Sequence, residues 1–190
     1  MYRQMFSKIN KSLKLDSDFQ GYFLLSGTIC DETVLPVQDW ILQTNIACEA
    51  QPDLLNLLIT SGGGEMASGL ALIDMIQGSS IPVRTIGMGE IASAALMILM
   101  AGAPGMRILT PNTLVMSHQF SWMSNGKEHE LEASAKAFNI TTKMMMNHYK
   151  RCTGLDEKTI RQILLPPSDV YMDAKTALKY KLCDKVCGLD

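Results

Sequence analysis

The segment Leu54–Thr60 reads Leu-Leu-Asn-Leu-Leu-Ile-Thr, is followed by three glycines at Gly62–Gly64, and then gives way to helical spacing. Met66, Leu70 and Ile73 form one row of that helix, and Leu72 and Ile76 an adjoining one. A near-continuous apolar strand belongs in the middle of a sheet covered on both faces, which is the setting of parallel strands. Strand, glycine turn and helix in that order is the start of a β-α-β unit. The alternation recurs along the chain. Tyr22–Ile29 is apolar and β-rich between Gly21 and Gly27, and predicts a strand. From Thr33, the positions Val37, Trp40, Ile41, Thr44 and Cys48 follow i, i+3, i+4 spacing, with Pro36 expected in the first turn. Val83–Met88 predicts a strand, Ile91–Ala101 a buried helix, and Thr113–Met116 a further strand. Glu128–Arg151 predicts a long helix, with short helices over Asp156–Leu164 and Ala174–Tyr180. The fold class is therefore α/β with a mostly parallel sheet.

Composition narrows the function classes. Of 190 residues, 47% are hydrophobic and 19% charged, which excludes a disordered chain. Seventeen Lys and Arg against 19 Asp and Glu give a net charge of −2, so no nucleic acid partner held by phosphate neutralisation is expected. The longest uncharged apolar run, Ile91–Ala103, falls short of the roughly 20 residues of a membrane span, so no membrane partner is expected. Met1–Leu15 carries Arg3, Lys8, Lys11 and Lys14 but no apolar secretory core. Five scattered cysteines (Cys30, Cys48, Cys152, Cys183, Cys187) suit free thiols in a reducing, cytoplasmic setting.

Three places attract chemistry. Gly62–Gly64 lies between a buried strand and a helix, where backbone approaches a ligand closely and N–H groups favour negative charge. A phosphate loop needs Gly-Lys-Ser/Thr there, whereas Glu65 and Met66 follow. The remaining readings are a structural turn or an oxyanion site. Ser93 starts an apolar helix among Ala92, Ala94 and Ala95; it reads either as an N-cap or as a reachable nucleophile. His118 closes a strand, where α/β sheets gather ligands, and reads either as a sheet-edge histidine or as a base. His129 and His148 read as solvated or packing residues, and no Cys/His spacing makes a metal site.

Four blocks in order carry a family resemblance. Ser61-Gly62-Gly63-Gly64, Gly87-Met88-Gly89-Glu90-Ile91-Ala92-Ser93-Ala94 and Val115-Met116-Ser117-His118-Gln119 resemble the Ser-Pro-Gly-Gly, Met-Gly-x-Ala-Ala-Ser-Met and Met-Ile-His-Gln-Pro blocks of the Clp peptidases. Asp169-Val170-Tyr171-Met172-Asp173-Ala174 through Leu182-Cys183-Asp184 resembles the family's closing segment, and the spacings agree without gaps. The resemblance runs from about Tyr22 to Val186. It implies a crotonase-type fold of repeated ββα units: one domain over 21–190 with a protruding handle at about 120–151, preceded by a divergent segment over 1–20.

By that resemblance, Ser93 is the nucleophile of a serine endopeptidase, His118 its general base and Asp169 the orienting carboxylate. Backbone N–H groups of Gly64 and Ala94 form the oxyanion hole, and Gly63, Glu65, Gln119, Phe120, Ser121 and Trp122 line a peptide groove. Asp173, where the family has Ser or Thr, is expected as a helix N-cap. Hydrolysis needs no cofactor and no metal. The expected partners are a peptide or unfolded protein, further copies in a heptameric ring or stacked double ring, and an ATP-dependent unfoldase. Alternatives are a specialised, for example phage-encoded, member acting on capsid or host proteins without an unfoldase, and a crotonase-fold acyl-CoA enzyme. The chain departs from the family at Gly62 for Pro, Phe120 for Pro, Trp122-Met123 for Gly-Gly, and Val170 for Arg.

Overall fold

The computed structural model describes residues 21–47 and 51–187. Expectations for Met1–Gln20 and for Cys48 lie outside the described residues. Strand β2 (Leu55–Ser61) lies inside the sheet and pairs in parallel with β1 (Tyr22–Ser26) on one side and β3 (Val83–Ala92) on the other. Its Leu55, Leu57 and Ile59 are fully buried, as a strand covered on both sides requires.

Strand β3 changes partner halfway along its length. Thr85–Gly87 pairs in parallel with β4 (Arg107–Leu109), whereas Glu90–Ala92 pairs in parallel with β5 (Leu114–Ser117). The change falls at Gly89, which holds a left-handed φ of 65°, and the β2–β3 register shifts between Ile59 and Ser61. Beyond the split, β5 pairs antiparallel with β6 (Val170–Asp173), while β4 pairs in parallel with β7 (Lys185–Val186). The sheet is mostly parallel, as expected.

The helices cover it. Helix α1 (Asp31–Ile46) packs beside α2 (Met66–Gly78), and α2 packs against α3 (Ala94–Met100). Every residue of α3 is buried. Helix α4 (Glu128–Thr153) leaves Leu131, Ile140 and Met144 exposed and buries its last turns through Met145, Met146, His148 and Tyr149. It ends at Gly154 in the left-handed conformation, and Arg107, paired with Asp184, donates to the Cys152 carbonyl of its last turn. A short helix α5 (Glu157–Thr159) continues as a π turn (Ile160–Leu164), and α6 (Ala174–Lys179) is capped by Asp173, which accepts from the Thr176 N–H at 2.8 Å.

Several expectations need correction. Helix α3 starts at Ala94, because Ile91 and Ala92 belong to β3; an apolar run does not distinguish buried strand from buried helix. Strand β1 stops at Ser26, and Ile29 makes only an isolated parallel bridge to Gly64. Helix α1 begins at Asp31, so Pro36 stands in its second turn and leaves the Glu32 carbonyl without its intrahelical donor. Strands β4, β6 and β7 are two to four residues long, too short for their periodicity to register.

His148 ties α4 to α3: it is buried, and its Nε2 donates to the Met97 carbonyl at 2.8 Å. Burial, reinforced by Arg151 and Arg107 and only partly opposed by that hydrogen bond and by Asp74, pushes its pKa down from 6.5 to about 4. The unfolded chain therefore takes up this proton at higher pH than the folded one. Stability from this group is full above pH 6.5 and is lost as pH falls toward 4. The loss amounts to up to about 3 kcal/mol. In denaturant titrations, His148→Gln should flatten the acid limb of the stability curve by that amount; an unchanged limb would contradict the assignment.

Candidate active site

Continuing the strand registers brings the separated motifs to one line. Ala92 pairs with Met116, and Ser117 with Val170, so one residue further Ser93 faces the end of β5 and His118 faces Asp169. Ser93 is the only residue between β3 and α3, and its N–H donates to the Met116 carbonyl at 3.0 Å. A one-residue strand-to-helix turn forces an unusual backbone, φ 53° and ψ −122°, which costs a non-glycine residue about 1–3 kcal/mol. Its side chain makes no cap hydrogen bond, so the N-cap reading fails. Instead the Ser93 hydroxyl lies 2.7 Å from His118 Nε2 and donates to it when the ring proton is on Nδ1.

His118 Nδ1 is 3.7 Å from Asp169 Oδ1, too long for a hydrogen bond but within ion-pair range. The side chains of His118 and Asp169 are 25% and 54% exposed, so the carboxylate sits at the mouth of the site.

Two backbone N–H groups border the serine. The parallel bridge to Ile29 uses the Gly63 carbonyl and the Glu65 N–H, which turns the N–H of Gly64 between them away from Ile29. Ala94 is the first residue of α3, and its N–H has no intrahelical acceptor. Close packing demands glycine on this side: a Cβ on Gly63 would lie 2.7 Å from Ser93 Cβ, and one on Gly64 would run into the Ile29 carbonyl.

The family model described as Clp protease matches residues 27–189. A relative from Corynebacterium diphtheriae, named ATP-dependent Clp protease proteolytic subunit 1, is 31% identical over 170 residues, covering 88% of this chain and 79% of the relative. The chain belongs to the Clp protease family. It is thus a member of a family of peptidases, and no helix among the described residues is long and apolar enough to cross a membrane.

Within this Clp family chain the expected groove residues scatter in role. Glu65 precedes α2 and accepts from the Ser68 hydroxyl. Gln119 is turned aside and donates to the Leu165 carbonyl at 2.9 Å. Phe120 stacks on Phe138 of α4, and the Trp122 indole donates to Ser134 at 2.7 Å. Ser121 and Phe120, with Gly64, Ser93 and His118, line a cavity of about 50 Å³ closed by Met66, Met97, Met145 and Tyr149. A larger cavity of about 440 Å³ opens at the opposite end of α3, near Met100 and Arg107, and includes none of these residues. Of the histidines outside the site, His129 is exposed and His148 is a buried packing residue. Among the described residues, Cys30, Cys152, Cys183 and Cys187 are free thiols, and no His/Cys/Asp/Glu cluster suited to a metal occurs.

Sequence reasoning missed the buried support behind His118. Ser117 and Tyr149 are both essentially inaccessible, and their hydroxyls lie 2.9 Å apart. Ser117 donates its single proton to the Leu164 carbonyl at 2.6 Å, so Tyr149 is the donor between them. Burial pushes the Tyr149 pKa up to about 12, which keeps that proton in place. No spacing rule links a strand-end serine to a tyrosine on a distant helix. Ser117→Ala strands both the Tyr149 hydroxyl and the Leu164 carbonyl, whereas Tyr149→Phe removes one donor and leaves the Leu164 bond intact. Chemical denaturation should rank Ser117→Ala as the more costly, by about 1–3 kcal/mol against about 1 kcal/mol; the reverse order would contradict the donor assignment.

Proposed function

We propose that the chain is a serine endopeptidase that cleaves short peptides and unfolded proteins through an acyl-enzyme. The observation that supports this most directly is the 2.7 Å contact between Ser93 Oγ and His118 Nε2 on a strained turn. Ser93 Oγ attacks the scissile carbonyl while His118 takes its proton through Nε2, and His118 then passes that proton to the leaving amine. The carbonyl oxygen, now an oxyanion, is met by the N–H groups of Gly64 and Ala94. A water, deprotonated by His118, releases the acyl group. Asp169 stabilises the charged imidazole electrostatically at 3.7 Å, and closure of that gap on substrate binding would tighten the pair. The cavity beside Ser93 takes the side chain of the residue that contributes the carbonyl. Acyl-CoA chemistry at a two-amide site has no use for a serine hydroxyl on a histidine, so the contact favours the peptidase.

The remaining expectations belong to the same proposal. Residues 21–190 form one peptidase domain, with about 120–151, which includes the exposed half of α4, as its handle. The exposed Ile140 and Met144 on that half support association of copies into a ring that encloses the site. The name of the Corynebacterium relative supports an ATP-dependent partner that delivers unfolded chains. Hydrolysis of a fluorogenic peptide tests the mechanism. Ser93→Ala should reduce kcat to the residual level of oxyanion binding, and Asp169→Asn should lower kcat severely. Asp173→Asn, at a position where Asn caps as well as Asp, should change little. Equal losses at Asp169 and Asp173, or near-normal turnover by Ser93→Ala, would contradict the roles.

A further inference from the structure

We propose that Phe120 sets the substrate preference of this site by acting as a fixed partition across its side-chain pocket. This inference rests on the peptidase reading above. The cavity beside Ser93 measures about 50 Å³, and a second cavity of about 160 Å³ lies behind it. Phe120 and Met145 line both. The rear chamber is otherwise walled by Gln119, Phe138, Thr142, Met146, Arg161 and Leu165 and contains none of Ser93, His118 or Gly64.

The two shared walls differ in stiffness. A methionine has three rotatable bonds and yields to a ligand. The Phe120 ring is held by stacking on Phe138, with centroids 5.6 Å apart and planes at 17°, and by a tilted contact with Trp122 at 5.7 Å. Trp122 is itself anchored to Ser134 on α4. The ring therefore blocks the passage between chambers, and the proline that the family carries at this position would extend no such ring. A substrate side chain entering from Ser93 meets Phe120 at the end of the smaller chamber. Compact apolar residues such as Ala and Val fit in front of the ring, whereas Phe and Trp need the space behind it.

The test is the rate of cleavage after Ala, Val, Met, Phe or Trp in an otherwise constant fluorogenic peptide, measured on the full chain. The wild type should cleave after Ala and Val in preference to Phe and Trp. Phe120→Ala joins the chambers and should raise kcat/KM for Phe and Met relative to Ala by roughly 10–200-fold, the range that apolar pocket contacts command. Phe138→Ala, which frees the ring from its stacking partner on the outer helix, should shift preference the same way to a smaller extent. A wild type that favours Phe or Trp overturns the proposal without any variant. So does a Ser93-dependent activity whose preference is the same in wild type, Phe120→Ala and Phe138→Ala. Repeating each measurement with Ser93→Ala separates the two levels: hydrolysis that survives it removes the peptidase reading and the partition together, whereas loss of hydrolysis with an unshifted profile removes the partition alone.

Discussion

The division of β3 between two partners organises the rest of the molecule. Its first half is locked to β4 and its second half to β5, so the chain emerges from Ala92 alongside the end of β5 with a single residue left before α3. That residue, Ser93, has no freedom to relax into a common backbone conformation. The ladder fixes it from one side through the Met116 carbonyl, and α3, buried along its whole length, fixes it from the other. Strain of this kind persists only where the surroundings over-determine it.

The antiparallel pairing of β5 with β6 completes the line. Because Ser117 pairs with Val170, His118 and Asp169 meet at the next step although 50 residues and the long helix α4 lie between them in sequence. The long helix is what holds that end of β5 in place from behind. Tyr149 reaches Ser117, Ser117 reaches Leu164, Gln119 reaches Leu165, and His148 ties the same helix to the Met97 carbonyl of α3. Elements that carry no chemistry thus anchor the backbone on both sides of the Ser93–His118 contact.

Much of this was legible in the sequence. The buried run at Leu54–Thr60, its glycine turn and the following helix announced an α/β sheet, and the resemblance to the Clp peptidases singled out Ser93 and His118, which the structure brings to 2.7 Å. Residue chemistry alone left Ser93 open as an N-cap, because a serine at a helix start is the common cap; the structure excludes it because the side chain makes no cap hydrogen bond. The boundary at Ser93 was misread, since Ile91 and Ala92 are as apolar as the helix that follows. Strands β4, β6 and β7 were missed because two to four residues carry no period. Ser117 and Tyr149 were invisible for a different reason: their meeting depends on tertiary packing between a strand end and a helix, which no local pattern encodes. The looseness of Asp169, half exposed and 3.7 Å from the ring, was equally beyond sequence.

The central claim is that the strained turn presents Ser93, and no other serine, as an activated nucleophile. Covalent labelling with a fluorophosphonate, followed by mass-spectrometric peptide mapping, tests it directly. The account predicts a single adduct on Ser93. Labelling at another serine, or active peptide hydrolysis by a chain that takes no label at Ser93, would contradict it.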